Sequence, residues 1–117
     1  MAKRHTVKIT QIICNDPSEN EGDELYLLYQ ADGGNQYRFP EKLKSSHEMD
    51  DNDDEDTWNV NLELNFDYEV ILQLWDNDDA NPDYLQSHDF QPGSGSGSIE
   101  LKNTNDADYT VYYEYIN

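Results

Sequence analysis

The sequence has little cysteine, few basic residues and no long apolar run, and each shortage excludes a class of protein. Cys14 is the only cysteine, so no disulfide can form within the chain. No run approaches the roughly 18 consecutive apolar residues of a membrane-spanning helix. Lysine and arginine total 7 against 26 aspartates and glutamates, a formal net charge of -19. Because such a surface repels phosphate backbones, we expect no direct nucleic-acid binding.

The first five residues also lack a feature that would assign a compartment. They are basic, but no apolar segment follows them, so no secretion signal is visible. The sequence therefore fits a cytoplasmic protein as well as a secreted one from which a signal has been removed. Nothing in the sequence indicates the oligomeric state.

What the sequence does contain is a series of short segments that alternate between apolar and polar residues. The clearest is 57–65, in which every second residue from Trp58 to Leu64 is apolar. We predict strands over 6–14, 24–30, 36–39, 57–65, 69–75, 99–101 and 109–116. The connection at 66–68 is short, so 57–75 is predicted to form a hairpin. The pattern predicts one all-β domain over 1–117, an antiparallel β-sandwich of about seven to eight strands.

Two stretches interrupt this pattern. Residues 41–56 are predicted to be an acidic loop insertion, and within it 48–56 is almost wholly acidic. That run is either a solvated loop or a lip that adds charge to a cation site. Residues 91–97 contain alternating glycine and serine and are predicted to be a flexible linker.

The strand over 69–75 runs directly into a loop that contains Asp76, Asp78 and Asp83. Like charges about 4–6 Å apart repel by on the order of a kcal/mol or more, so such a loop favours a bound cation. Carboxylates with no histidine or cysteine beside them suit a hard ion, and Ca²⁺ accepts six to eight oxygen ligands in flexible geometry. The alternative is that these residues only cap turns through their side chains.

A second acidic loop, Asp16–Glu24, follows the first strand. In a sandwich, loops that leave strands at the same end can converge. The two loops would then share a cation, although they are far apart in the sequence.

Three pieces of the sequence resemble the C2 domain, the calcium-dependent phospholipid-binding domain. The opening strand from Val7 to Ile12 is similar to the first strand of that family. Asp16, followed by 23–27, resembles its first acidic loop. The stretch from Val70 to Leu85 resembles its hydrophobic strand followed by Asp-x-Asp and a later Asp. The resemblance covers most of the chain in pattern and implies a β-sandwich that binds calcium ions between its loops.

The resemblance also implies a set of calcium ligands. Asp16, Asp76 and Asp78 correspond to ligands shared between ions. Asp83 and either Asp23 or Glu24 correspond to outer ligands. The carbonyl of Asn77 and the side chain of Glu19 would complete the set.

The sequence thus predicts a calcium-binding module that acts in calcium-dependent binding or adhesion to a membrane, glycan or protein. The alternative is an acidic interaction protein that needs no metal, such as a nucleic-acid mimic or an inhibitor of a basic partner. No catalytic site is predicted, because the sequence shows no Ser-His-Asp spacing, phosphate-binding glycine loop or Cys/His metal pattern.

Overall fold

The computed structural model describes residues 4–17, 22–41, 46–51, 56–77, 83–102 and 107–116. The described chain is all-β, which confirms the predicted fold class. In chain order the strands are β1 (His5–Asp16), β2 (Asp23–Ala31), β3 (Gln36–Phe39), β4 (His47–Met49), β5 (Thr57–Trp58), β6 (Leu62–Phe66), β7 (Val70–Asp76), β8 (Asp83–Phe90), β9 (Ser96–Lys102) and β10 (Asp108–Ile116). Within these residues, no helix has the length and apolar character needed to cross a bilayer.

The strands form two antiparallel sheets. In the first sheet, β1 and β10 are central, β9 pairs with β10, and both β5 and β6 pair with β1. In the second sheet, β2 and β7 are central, β8 pairs with β7, and both β3 and β4 pair with β2. Two short strands therefore share one edge of each sheet, which is why ten strands are present where about seven to eight were predicted.

The core lies between the inner faces of the two sheets. In β7 the inward side chains alternate strictly with half-buried ones, and Val70, Leu72 and Leu74 are each at most 1% exposed. Val7, Ile9 and Val111 cover them from the first sheet and are fully buried. Burying aliphatic side chains at this density stabilises the sandwich by about 1.5–3 kcal/mol for each side chain.

The predicted strand over 57–65 and the predicted hairpin over 57–75 are both wrong. Residues 59–61 separate β5 from β6, because Asn61 has a φ of 51° and cannot continue a strand. β1 has a register irregularity between Ile9 and Gln11, close to this interruption. β6 then pairs with β1, whereas β7 pairs with β2 and β8. The connection between β6 and β7 thus crosses from one sheet to the other.

The two predicted irregular stretches are partly regular. The acidic insertion at 41–56 contains β4, which pairs with β2 through Asp23 and Met49. Met49 is 1% exposed, so burial of this apolar side chain stabilises the pairing of β4 with the sheet. The predicted linker at 91–97 ends inside β9, because Ser96 and Gly97 pair with β10. A Cβ at Gly97 would lie 3.0 Å from the hydroxyl of Tyr113, so a larger residue there would have to displace this ring.

Candidate metal site

Four connections leave the sandwich at the same end. β1, β4, β7 and β9 finish there, and β2, β5, β8 and β10 begin there. The connections are residues 17–22, 50–56, 77–82 and 103–107; each contains aspartate or glutamate, and none contains lysine or arginine. We call this the acidic end. Asp16 and Asp76, which lie 60 positions apart in the sequence, both lie at this end.

Two carboxylates at the acidic end are buried. Asp23 is 2% exposed and Asp76 is 3% exposed. Each continues the inward face of its strand, since Leu25 and Leu27 share the phase of Asp23, and Leu72 and Leu74 share the phase of Asp76. The register pairs Leu25 with Asp76, so Asp23 is the diagonal neighbour of Asp76 on the same face. The Cα atoms of such neighbours lie about 7–8 Å apart.

Hydrogen bonds orient both of these carboxylates. The phenol of Tyr109, on the opposite sheet, donates to Oδ2 of Asp23. The main-chain N–H of Glu24 donates to Oδ1 of Asp76 at 2.8 Å. The N–H of Asn77 donates to the carbonyl of Glu24 at 2.7 Å and extends the contact between β2 and β7 beyond Asp76. Both aspartates are thus held in place before any ion binds.

A buried polar cluster lies beneath Asp23. Tyr109 is fully buried and Cys14 is 3% exposed. Burial, together with the neighbouring Asp23 carboxylate, raises the pKa of the Tyr109 phenol well above its usual range. Burial also raises the pKa of the Cys14 thiol to about 12. Tyr109 therefore stays protonated near neutral pH and remains a hydrogen-bond donor to Asp23.

The other predicted ligands within the described residues are more exposed. Asp16 is exposed and pairs with Asp108 across a register irregularity that follows Cys14. Asp83 begins β8 directly opposite Asp76 and is exposed. Glu24 is exposed and pairs with Glu48, whereas Asp23 faces inward. Of the two alternatives left open by the sequence, Asp23 is the one whose side chain faces inward as Asp76 does, and the choice of ligand stays a prediction.

An aromatic row lies on the outer face of the second sheet at this end. Trp75, the residue before Asp76, stacks on Tyr26 with ring centroids 6.2 Å apart and contacts Tyr84 edge-on at 5.6 Å. The guanidinium of Arg38 lies 4.3 Å from the centroid of the Tyr26 ring. These contacts fix the strand ends that carry Asp76 and Asp83, and they place an indole beside the acidic end.

The predicted ligands Glu19 and Asp78 lie outside the described residues. Within the described part of the chain, no three histidine, cysteine, aspartate or glutamate side chains converge closely enough to form a complete metal site. The donor chemistry still fits a hard cation, because the two buried acidic side chains at this end, Asp23 and Asp76, offer carboxylate oxygens. Sequence reasoning missed Tyr109. The alternating pattern of the predicted strand over 109–116 places Tyr109 on one face with Val111, but no nearby residue indicated that it contacts Asp23.

No protein-family model and no curated protein sequence matches the chain. Solved structures do match it. The C2A domain of plant extended synaptotagmin 1 superposes with a TM-score of 0.62 at 11% identity, covering 97% of this chain and 94% of that one. A structure described as a C2 domain gives 0.57 at 11% identity, covering 97% and 98%. Human GIVD cytosolic phospholipase A2 gives 0.60 at 10% identity, but only 17% of that chain is covered.

These likenesses extend over almost the whole of this chain. At such low identity they establish the fold and leave ligand and target open. The chain has the fold of a C2 domain, as its sequence pattern indicated.

Proposed function

We propose that this chain is a calcium-binding module, in which Ca²⁺ bound at the acidic end controls attachment to a target. The observation that carries the proposal is the adjacent, inward placement of Asp23 and Asp76, 2% and 3% exposed, at the end of the sandwich where β1, β4, β7 and β9 finish. The likeness of this fold to solved C2 domains also supports the proposal.

The charges of Asp23 and Asp76 favour a bound cation. Two carboxylates about 7 Å apart repel by on the order of 2 kcal/mol at an effective dielectric constant near 20. A divalent ion near both would replace this repulsion with attraction and would also attract the more exposed Asp16 and Asp83. Glu19, Asp78 and the carbonyl of Asn77 remain proposed ligands. We expect the chain to have no catalytic activity of its own.

The composition of the acidic end also indicates how a target would be held. The four connections contain no leucine, isoleucine, valine, methionine or aromatic residue. They therefore offer no side chain suited to insertion into the apolar part of a bilayer. Calcium would instead bridge the acidic end to an anionic group of the target, on a protein, a glycan or a lipid headgroup.

Thermal unfolding in calcium and in chelator tests the proposal. Because a ligand that binds only the folded state stabilises it, calcium at about 100 times its dissociation constant adds about 2.7 kcal/mol. For a domain of this size we expect the midpoint to rise by on the order of 10 °C. Asp76→Asn should remove the rise.

Asp89→Asn is the matched control, since it removes one exposed carboxylate near the other end of the sandwich. It should retain the full calcium response. An unchanged midpoint of the unsubstituted protein at millimolar calcium would refute the proposal. It would favour a metal-independent acidic interaction protein, whose complex with a basic partner would persist in chelator and weaken with salt.

A further inference from the structure

A groove opens along one edge of the sandwich, away from the acidic end. It is lined by Tyr29, Ala31 and Tyr37 from the second sheet, by residues 63–65 of β6 from the first, and by Val70. Its volume is about 250 Å³. That is below the roughly 300–1,000 Å³ of typical small-molecule sites, so the groove suits a side chain of a larger partner better than a cofactor.

One wall of the groove includes the main chain of β6. Glu63, Leu64 and Asn65 are consecutive residues of a strand, so their side chains alternate between the two faces of the sheet. All three nevertheless line the groove. Glu63 and Asn65 are exposed and Leu64 is 1% exposed, so the edge of β6 is accessible from the groove at Glu63 and Asn65. Within the described residues β6 pairs only with β1, so its other edge carries no strand.

The facing wall is aromatic. Tyr29 and Tyr37 lie opposite each other on β2 and β3, with ring centroids 5.7 Å apart. Tyr37 is 55% exposed, which makes it one of the most exposed large side chains described. Both rings line the same groove as residues 63–65 of β6.

Two acidic side chains, Glu63 and Glu41, lie at or near the groove, and one basic side chain, Lys8, pairs with Glu63 in the register. Glu63 lies on the rim of the groove, and among the described residues no ion pair joins Glu63 to Lys8, its partner in the register. Glu41 lies near Tyr29, whose pKa is raised first by burial and then by the Glu41 charge. The whole chain carries -19 charges. A cationic side chain could place its aliphatic part against Tyr29 and its charge over the ring of Tyr37 or beside Glu63.

We propose that this groove binds an extended, basic segment of a partner protein, which adds as a strand to the free edge of β6 and inserts a lysine or arginine beside Tyr37. Main-chain hydrogen bonds supply the affinity in strand addition, and pockets for alternate side chains supply the specificity. A second copy of this chain is a poorer occupant, because two molecules of this charge repel each other. The proposal does not depend on calcium.

The test is an amide-resolved NMR titration in chelator with a capped hexapeptide of alternating lysine and valine. We expect saturable shifts in Leu62–Phe66 and in residues beside Tyr37, with little change at the acidic end. A hexapeptide of alternating glutamate and valine should produce no shifts. Tyr37→Ala should weaken binding about fivefold to tenfold through the lost stacking, and Glu63→Gln about threefold through the lost charge.

Two control variants separate the groove from general charge and aromatic effects. Tyr68→Ala removes a tyrosine that is 67% exposed and does not line the groove. Glu100→Gln removes an exposed carboxylate on β9, at the far edge of the same sheet. Both should bind the lysine peptide as the unsubstituted protein does.

Several results would overturn the proposal. These are shifts confined to the acidic end, equal binding of the glutamate peptide, or equal weakening by Glu100→Gln and Glu63→Gln. Absence of binding at millimolar peptide would do the same. Concentration-dependent shifts of β6 without peptide would identify a second copy as the occupant and would also contradict it. None of these results bears on calcium binding, which the thermal test measures separately.

Discussion

The two ends of the sandwich use aspartate in different ways. At the end opposite the acidic end, Asp32 follows β2, and its carboxylate accepts the N–H groups of Asp67, Tyr68 and Glu69 at 2.8, 2.6 and 3.0 Å. These donors belong to the connection that crosses between the sheets. At the acidic end, Asp23 and Asp76 instead face inward beside each other.

The difference separates a structural carboxylate from a candidate ligand. Main-chain donors, with a smaller contribution from the charge of Arg4, hold the pKa of Asp32 below its usual value. Asp32 is therefore already stabilised as an anion by the fold. Asp23 and Asp76 add negative charge to an end that is already acidic. Asp32 is expected to stabilise the fold with or without calcium, and Asp76 chiefly when calcium is bound.

The same substitution at the two ends should have opposite effects in chelator. Asp76→Asn removes one of two neighbouring buried charges, and relief of their repulsion should raise the free energy of unfolding by on the order of 1–2 kcal/mol. Asp32→Asn removes the anion that three N–H groups bind, so it should lower the free energy of unfolding. Urea unfolding of both variants measures the contrast. If both variants were destabilised to a similar degree, the two ends would not differ as we infer.

Loss of the Tyr109 phenol should lower both the free energy of unfolding and the affinity for calcium. Tyr109→Phe leaves a buried carboxylate without that donor, and the expected loss is about 1–3 kcal/mol in unfolding free energy. Calcium affinity should fall severalfold, because Asp23 loses the contact that orients it. Tyr112→Phe is the matched control on the same strand, since Tyr112 is 38% exposed. Equal calcium affinity in Tyr109→Phe and the unsubstituted protein would show that this contact is only structural.

A smaller effect is expected at low pH, where the stability that the Asp32 carboxylate contributes should decrease. Folding lowers the pKa of Asp32. The ionised Asp32 carboxylate therefore stabilises the folded state fully at pH values above the pKa of the unfolded state, which is near 4. This stabilisation is lost as the pH falls through the pKa of the folded state. The stability difference between the unsubstituted protein and Asp32→Asn should therefore shrink below about pH 4. Urea midpoints of both proteins across the acid range measure it. A difference that stays constant down to about pH 2 would show that the Asp32 charge contributes nothing.

Local pattern predicted the strands well because alternation is a local property. The segments 24–30, 36–39 and 69–75 match β2, β3 and β7 within two residues at each end. The predicted hairpin over 57–75 failed because sheet assignment depends on distant partners. β6 pairs with β1 near the N-terminus, and Asp32 holds the crossing connection from 35 positions away.

The candidate site was predictable in part for the same reason. The position of Asp76 after an apolar strand is visible in the sequence, and so is the first acidic loop. Which of Asp23 and Glu24 faces inward could not be read from the sequence, because the strand phase depends on where β2 begins. Tyr109 could not be found locally, because its contact with Asp23 joins two sheets across 86 positions.

Calorimetric titration with calcium tests the central claim most directly. We predict saturable binding to the unsubstituted protein, strongly reduced in Asp23→Asn and in Asp76→Asn and retained in Asp32→Asn. No saturable heat up to millimolar calcium, or equal binding by all four proteins, would contradict the assignment of the acidic end as a cation site.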